Sequence, residues 1–185
     1  MSAHHDVVRR EFARQADGFG HRGSFFAAAS TAEWIDGGAR LAADEIVLDA
    51  GGGAGDLSRA LAGRARQFVV ADHVALDDGV ADRHNRLERL RDPSHTTALT
   101  EDGLAAALAA AGLAVGARDT VDRPLELEPW IERAHTPEAG AQRIRAALEA
   151  EMAGAGPPTG LRPARGEDGV VRVAQRWVRL VARHA

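Results

Sequence analysis

Glu45-Ile-Val-Leu-Asp-Ala-Gly-Gly-Gly-Ala-Gly-Asp-Leu-Ser58 decides how this chain reads. Ile46, Val47 and Leu48 predict a short buried strand. Asp49 follows, then four glycines in five positions, then Leu57-Ser-Arg-Ala-Leu61, which predicts the first turns of a helix. Strand, glycine turn and helix in that order build a cradle for a nucleotide-like ligand. Glycine suits the turn because the backbone must bend sharply and approach the ligand without a Cβ in the way. The helix that opens after it offers unpaired N–H groups.

The spacing separates two kinds of cradle. No Gly-Lys-Ser/Thr follows, which excludes a triphosphate-binding P-loop. The pattern is instead acid-x-Gly-x-Gly-x-Gly, carried by Asp49, Gly51, Gly53 and Gly55. It resembles motif I of class I S-adenosylmethionine (SAM) methyltransferases. That resemblance implies SAM as cofactor, with the glycine loop along its amino-acid end and Asp49 organising the loop and the methionine amine. A tight strand–helix turn without a ligand is the alternative reading.

Working outward, 185 residues suit one domain. A hydrophobic fraction of 45% suffices for a sizeable core, though alanine and glycine supply much of it. The formal charge of −4 gives no support for nucleic-acid binding through the net field. All 23 basic residues are arginine, which we read as a bias toward GC-rich codons. Without cysteine there is no disulfide framework, thiolate metal site or cysteine nucleophile. No apolar run approaches a membrane span, and Met-Ser-Ala-His-His-Asp at the start lacks a signal-peptide core. A cytoplasmic protein with a small-molecule substrate is the expectation.

Residues 6–42 read as two helices broken at Gly18-Phe-Gly-His-Arg-Gly23. In the methyltransferases that the chain resembles, a helical segment with an aromatic at such a break covers the SAM pocket. Residues 1–42 are therefore expected to form a lid, with Phe19 against the cofactor. A plain core role for Phe19 is the competing reading.

After the glycine loop, Gln67-Phe-Val-Val-Ala71 predicts a strand ending at Asp72. A carboxylate about 20 residues past the glycines takes the ribose hydroxyls in dinucleotide folds, and Asp72 lies at about that distance. Its surroundings suggest a different place. Val69-Val-Ala-Asp-His-Val-Ala75 and His84-Asn-Arg-Leu-Glu-Arg-Leu-Arg-Asp-Pro-Ser-His95 resemble the fifth strand and following segment of methyltransferases of the ubiquinone/menaquinone-biosynthesis kind, methyltransferase type 11. The helix over Leu104–Leu113, closed by Gly112, and the strand over Leu113–Arg118 also follow that family's order near its end. The resemblance thus falls in two blocks, about 1–66 and 67–185, as if the middle of the domain had been deleted near residues 66–68. It implies an α/β fold: a Rossmann-like methyltransferase sheet reduced in strand number, with N-terminal helices. The domain divides into a lid (1–42), the motif I unit (43–66) and the C-terminal part (67–185). A strand such as Ile46–Leu48 without its neighbours would expose backbone groups, so either Phe68–Ala71 moves in beside it or a second chain covers the gap in a homo-oligomer.

Further on, Leu125–Ala134 after Pro124 predicts an amphipathic helix. Thr136-Pro-Glu opens another that runs to Gly154. Val170–Val173 and Gln175–Val181 read as strand.

The richest polar cluster is His84, Asn85, Glu88, Arg91, Asp92 and His95. Asn85, Glu88 and Arg91 or Asp92 recur at helical spacing, so one face can carry amide, carboxylate and guanidinium. His84 and His95 are the candidate general bases, since histidine titrates near neutral pH. Asn85, Arg91 and Asp92 are the candidate substrate ligands. A solvated helix bearing Glu–Arg pairs is the bland alternative. A metal site from His84, His95 and Asp92 is an alternative that lacks a third fixed ligand spacing, and no metal is assigned. Two function classes follow: SAM-dependent methyl transfer to a small molecule, or a non-catalytic relative that keeps the cradle but has lost the adenosine-binding half.

Overall fold

The computed structural model describes residues 6, 7, 10, 11, 13, 14 and 68–184. The glycine cradle, Ile46–Leu48, Phe19 and the join at 66–67 lie outside the described residues. The six N-terminal residues are helical.

β-Branched residues make the first described strand, β1 (Phe68–Val74). It passes into a parallel bridge between Ala75 and Thr100. Helix α1 (Asp78–Arg91) opens on Asp77, whose carboxylate accepts from the Val80 N–H at 3.1 Å. Asp78 in its first turn and Arg89 and Arg91 in its last complement the helix dipole. Helix α2 (Glu101–Ala110) is alanine-rich and buries Ala105. It ends before Gly112, whose φ of +81° is the left-handed C-cap geometry that glycine accepts without strain.

β2 runs from Leu113 to Glu126, and α3 (Leu127–Arg133) follows directly. The strand therefore continues through Pro124, where the sequence reading stopped at Arg118 and assigned Leu125 to the helix. Sheet position explains the difference. The order is β1-β4-β2, which leaves β2 on one edge of the described sheet, where a residue without an N–H is tolerated. α4 (Glu138–Met152) begins one residue later than expected, with Pro137 at the cap, because the Thr136 hydroxyl donates to the Arg91 and Ile131 carbonyls instead of capping. The two-residue β3 (Ala164–Arg165) pairs antiparallel with the start of β4 (Val171–His184). Asp119, Asp122 and Glu126 of β2 meet Arg179, Arg176 and Arg172 of β4 in reverse order, so this ladder is antiparallel as well.

The chain divides into two compact units, residues 1–15, 73–101 and 122–176 in one, and 16–72, 102–121 and 177–185 in the other. The core of the first joins Leu87 of α1, Leu127, Trp130 and Ile131 of α3, Ala141, Ile144 and Leu148 of α4, Leu161, and Val173 of β4. In the second, Trp177 through Ala182 are all buried, the continuous run of a strand covered on both faces.

α1 and α4 approach at Gly140, where a Cβ would stand 2.7 Å from the Leu90 carbonyl oxygen. That oxygen belongs to the backbone and cannot step aside. Alanine would gain about 1 kcal/mol in helix propensity, against an overpacking cost of about 1–3 kcal/mol. Gly140→Ala is expected to lower stability by up to about 2 kcal/mol in urea unfolding; a stabilised variant would show that the helices can separate freely.

Candidate functional site

The buried stripe of α1 carries polar groups where an amphipathic helix would carry apolar ones: His84, Asn85 and Glu88 are buried alongside Val80 and Leu87. Each needs partners inside the protein.

Asn85 has them on every side. Its amide nitrogen donates to the carbonyls of Ala81 (2.9 Å) and Ala98 (3.1 Å), and its Oδ1 accepts from the Ala98 N–H at 2.6 Å. These backbone partners fix the amide orientation. Oδ1 is therefore an acceptor toward His95 Nε2 at 2.7 Å, and the histidine must carry its proton there. His95 Nδ1 is left as the nitrogen with a lone pair. Asp92 shapes the same loop: its Oδ1 accepts from the Ser94 N–H (2.8 Å) and hydroxyl (2.7 Å).

Glu88 is fully buried, with Oε1 accepting from Gln175 Nε2 and Oε2 from Arg91 Nε, both at 2.9 Å. Arg91 also stacks on Trp130, 4.7 Å from the ring centroid. Burial alone would raise the Glu88 pKa, but the charge and hydrogen bond of Arg91, with help from His73 and His84, bring it down to about 2.

His84 contrasts with them. It is 1% exposed, and neither ring nitrogen has a hydrogen-bond partner among the described residues. Gly160, held at φ +82° in the loop after α4, closes over it, 3.6 Å from the His84 Cβ to where a glycine side chain would begin. Burial pushes the imidazole pKa down to about 4 against the opposing pull of Glu88, with His73, His95 and Arg91 adding to the fall. His95 is lowered too, first by burial.

Beside these stands His73, at the end of β1, its ring centroid 6.2 Å from that of His84 and 6.0 Å from that of His95. The fold thus brings His73, His84, Glu88 and His95 together. His73 was not singled out by the sequence reading, which stopped at its neighbour Asp72. The available signal was position: in open α/β sheets, the carboxyl ends of strands collect functional groups. Asp72 itself is exposed. Arg91, Asn85 and Asp92 are engaged with the chain's own groups. Asp49, Gly51, Gly53, Gly55 and Phe19 lie outside the described residues.

No protein-family model matches the chain, and no curated protein matches it. Solved structures do match it, among them two proteins of Bacillus. One is a candidate methyltransferase of Bacillus halodurans C-125, 18% identical, with a TM-score of 0.54 over 72% of this chain. The other is the YcgJ protein of Bacillus subtilis, 22% identical, also with a TM-score of 0.54, over 77% of this chain. The match covers 63% and 64% of those proteins, less than two thirds of either. At these identities the likeness shows the fold. It is α/β, of the Rossmann-like kind found in methyltransferases.

Proposed function

We propose that the chain belongs to the SAM-dependent methyltransferases and serves methyl transfer to a small-molecule acceptor. The observation that carries this reading is the fold shared over 72% of the chain with a protein named as a candidate methyltransferase. The acid-and-glycine pattern Asp49, Gly51, Gly53 and Gly55 supports it. These residues would hold the methionine end of SAM, with Phe19 over it. Asp72 would take the ribose hydroxyls, and its exposed carboxylate at the sheet fits a ligand-facing role. The bound group supplies an activated methyl; the chain's task is alignment of the acceptor.

In this reading His95 accepts the acceptor's proton at Nδ1 where one must leave. His84, neutral at pH 7 and enclosed, acts on the acceptor only from behind His73 and His95. Asn85 holds His95 in the required tautomer, and Arg91 and Asp92 set the walls. A second reading is a weak binder without turnover, favoured by a chain that matches less than two thirds of each structural neighbour.

Calorimetric titration with SAM and S-adenosylhomocysteine separates these from an empty cradle. Weak binding is expected in the wild type, and none in Gly53→Val, where a branched side chain would enter ligand space. Asp72→Ala should lose about one to two orders of magnitude, the worth of one charge-assisted hydrogen bond of about 1.5–3 kcal/mol. Affinity unchanged in a folded Gly53→Val protein would remove the assignment. A radiolabelled methyl-transfer assay then decides between turnover and binding alone.

A further inference from the structure

We propose that His73, His84 and Glu88 form a binding site for a divalent transition-metal ion. His84 and Glu88 are four residues apart on α1, so the helix sets both on one face, and His73 meets them from the end of β1. One ligand atom from each lies within 4.8 Å of the other two. Nitrogen and oxygen ligands at about 2.0–2.2 Å from a tetrahedral ion stand about 3.3–3.6 Å apart. Side-chain rotation of about an ångström closes the difference.

An independent observation points to the same place. His84 is 1% exposed with no hydrogen bond at either nitrogen among the described residues, and a buried polar group in that state costs free energy unless something completes it. A metal ion would do so at one nitrogen. Glu88 is already oriented by Gln175 and Arg91, the kind of outer partners that hold a metal-ligating carboxylate in place.

The charge of Arg91 beside Glu88 decides which ions fit. The guanidinium offsets much of the carboxylate's attraction for a cation, so the two imidazoles must carry the affinity. Zinc and cobalt accept imidazole nitrogen readily, whereas magnesium and calcium require oxygen donors. Two histidines and one glutamate also leave a fourth position open, the ligand set of catalytic rather than structural zinc. Nothing in this site depends on SAM or on the glycine cradle.

The test uses the full chain, stripped with EDTA and dialysed. Zinc chloride is titrated calorimetrically, cobalt chloride is followed by visible absorption, and imidazole 15N resonances are recorded with and without zinc. Expected are about one zinc per chain, cobalt bands of a low-symmetry site, shifts at two histidine rings, and no response to magnesium or calcium. His73→Gln, at a half-buried position, should weaken zinc by more than the roughly 10- to 100-fold that loss of an outer partner costs. His135→Gln, at an exposed position, should leave it unchanged. Should His73→Gln fail to fold, the wild-type resonances decide. Absence of saturable zinc binding, zinc shifts at histidines other than His73 and His84, or unchanged affinity in folded His73→Gln would overturn the proposal.

Discussion

Replacing Glu88 by alanine is expected to cost about 3–5 kcal/mol of stability, the range seen when one partner of a buried ion pair is removed. Glu88 is 0% exposed, and the Arg91 side chain only 15%. Without the carboxylate, the guanidinium keeps its charge inside the protein against the Trp130 face, its ion-pair partner gone. Gln175, itself buried, loses the acceptor for its amide. Against a typical total of about 5–15 kcal/mol, such a loss can unfold a large share of the molecules. It does not follow that the pair itself stabilises by that amount, because the desolvation of both charges has already been spent in the folded state. The double variant Glu88→Met with Arg91→Met makes the distinction. It should be more stable than Glu88→Ala, since two thioether side chains leave no charge unpaired. Urea unfolding of both variants gives the comparison. A Glu88→Ala protein within about 0.5 kcal/mol of wild type would place water beside Arg91 and deny that the site is closed.

The same residues show what the sequence could and could not disclose. Helices α2 and α4 were legible because turn residues and apolar spacing act locally, in Gly112 after α2 and Thr136-Pro-Glu before α4, and α1 through the helical spacing of Asn85, Glu88 and Arg91. The boundary between β2 and α3 was not. Pro124 reads locally as a helix start, and only its place on an edge strand makes it part of a sheet. The polar density of His84, Asn85, Glu88, Arg91, Asp92 and His95 was visible as a pattern, and the fold does gather it. What each group does was not visible. Asn85 spends its amide on the backbone of Ala81 and Ala98, residues at different sequence distances that only the folded loop brings within reach. His73 went unnoticed because no spacing rule links it to His84; a strand end and a helix face meet through tertiary packing alone.

Burial of His84 also predicts how the metal-free protein responds to acid. Its folded pKa is about 4, first because burial disfavours the charged ring, with His73, His95 and Arg91 adding repulsion and Glu88 opposing. In the unfolded chain the ring titrates near its ordinary value of 6.5. As pH falls below 6.5 the unfolded state takes up a proton that the folded state refuses, so stability is fully present above 6.5 and is lost between 6.5 and about 4. A difference of this size corresponds to about 3 kcal/mol. Glu88 then acts in a second window. Its folded pKa lies near 2, below the ordinary 4.5, because Arg91 outweighs the opposing effect of burial. Its share is present above 4.5 and lost as pH falls toward 2. The two windows adjoin, so with EDTA present the midpoint in urea should start to fall just below pH 6.5, well before carboxylates titrate. His84→Asn removes His84's share of the first window: a variant that folds should show a shallower decline of the urea midpoint from pH 7 to 5, the remainder coming from His95, whose pKa burial also lowers. A wild-type midpoint that stays flat down to pH 5 would mean that His84 takes its proton in the folded state, and hence that water reaches the ring.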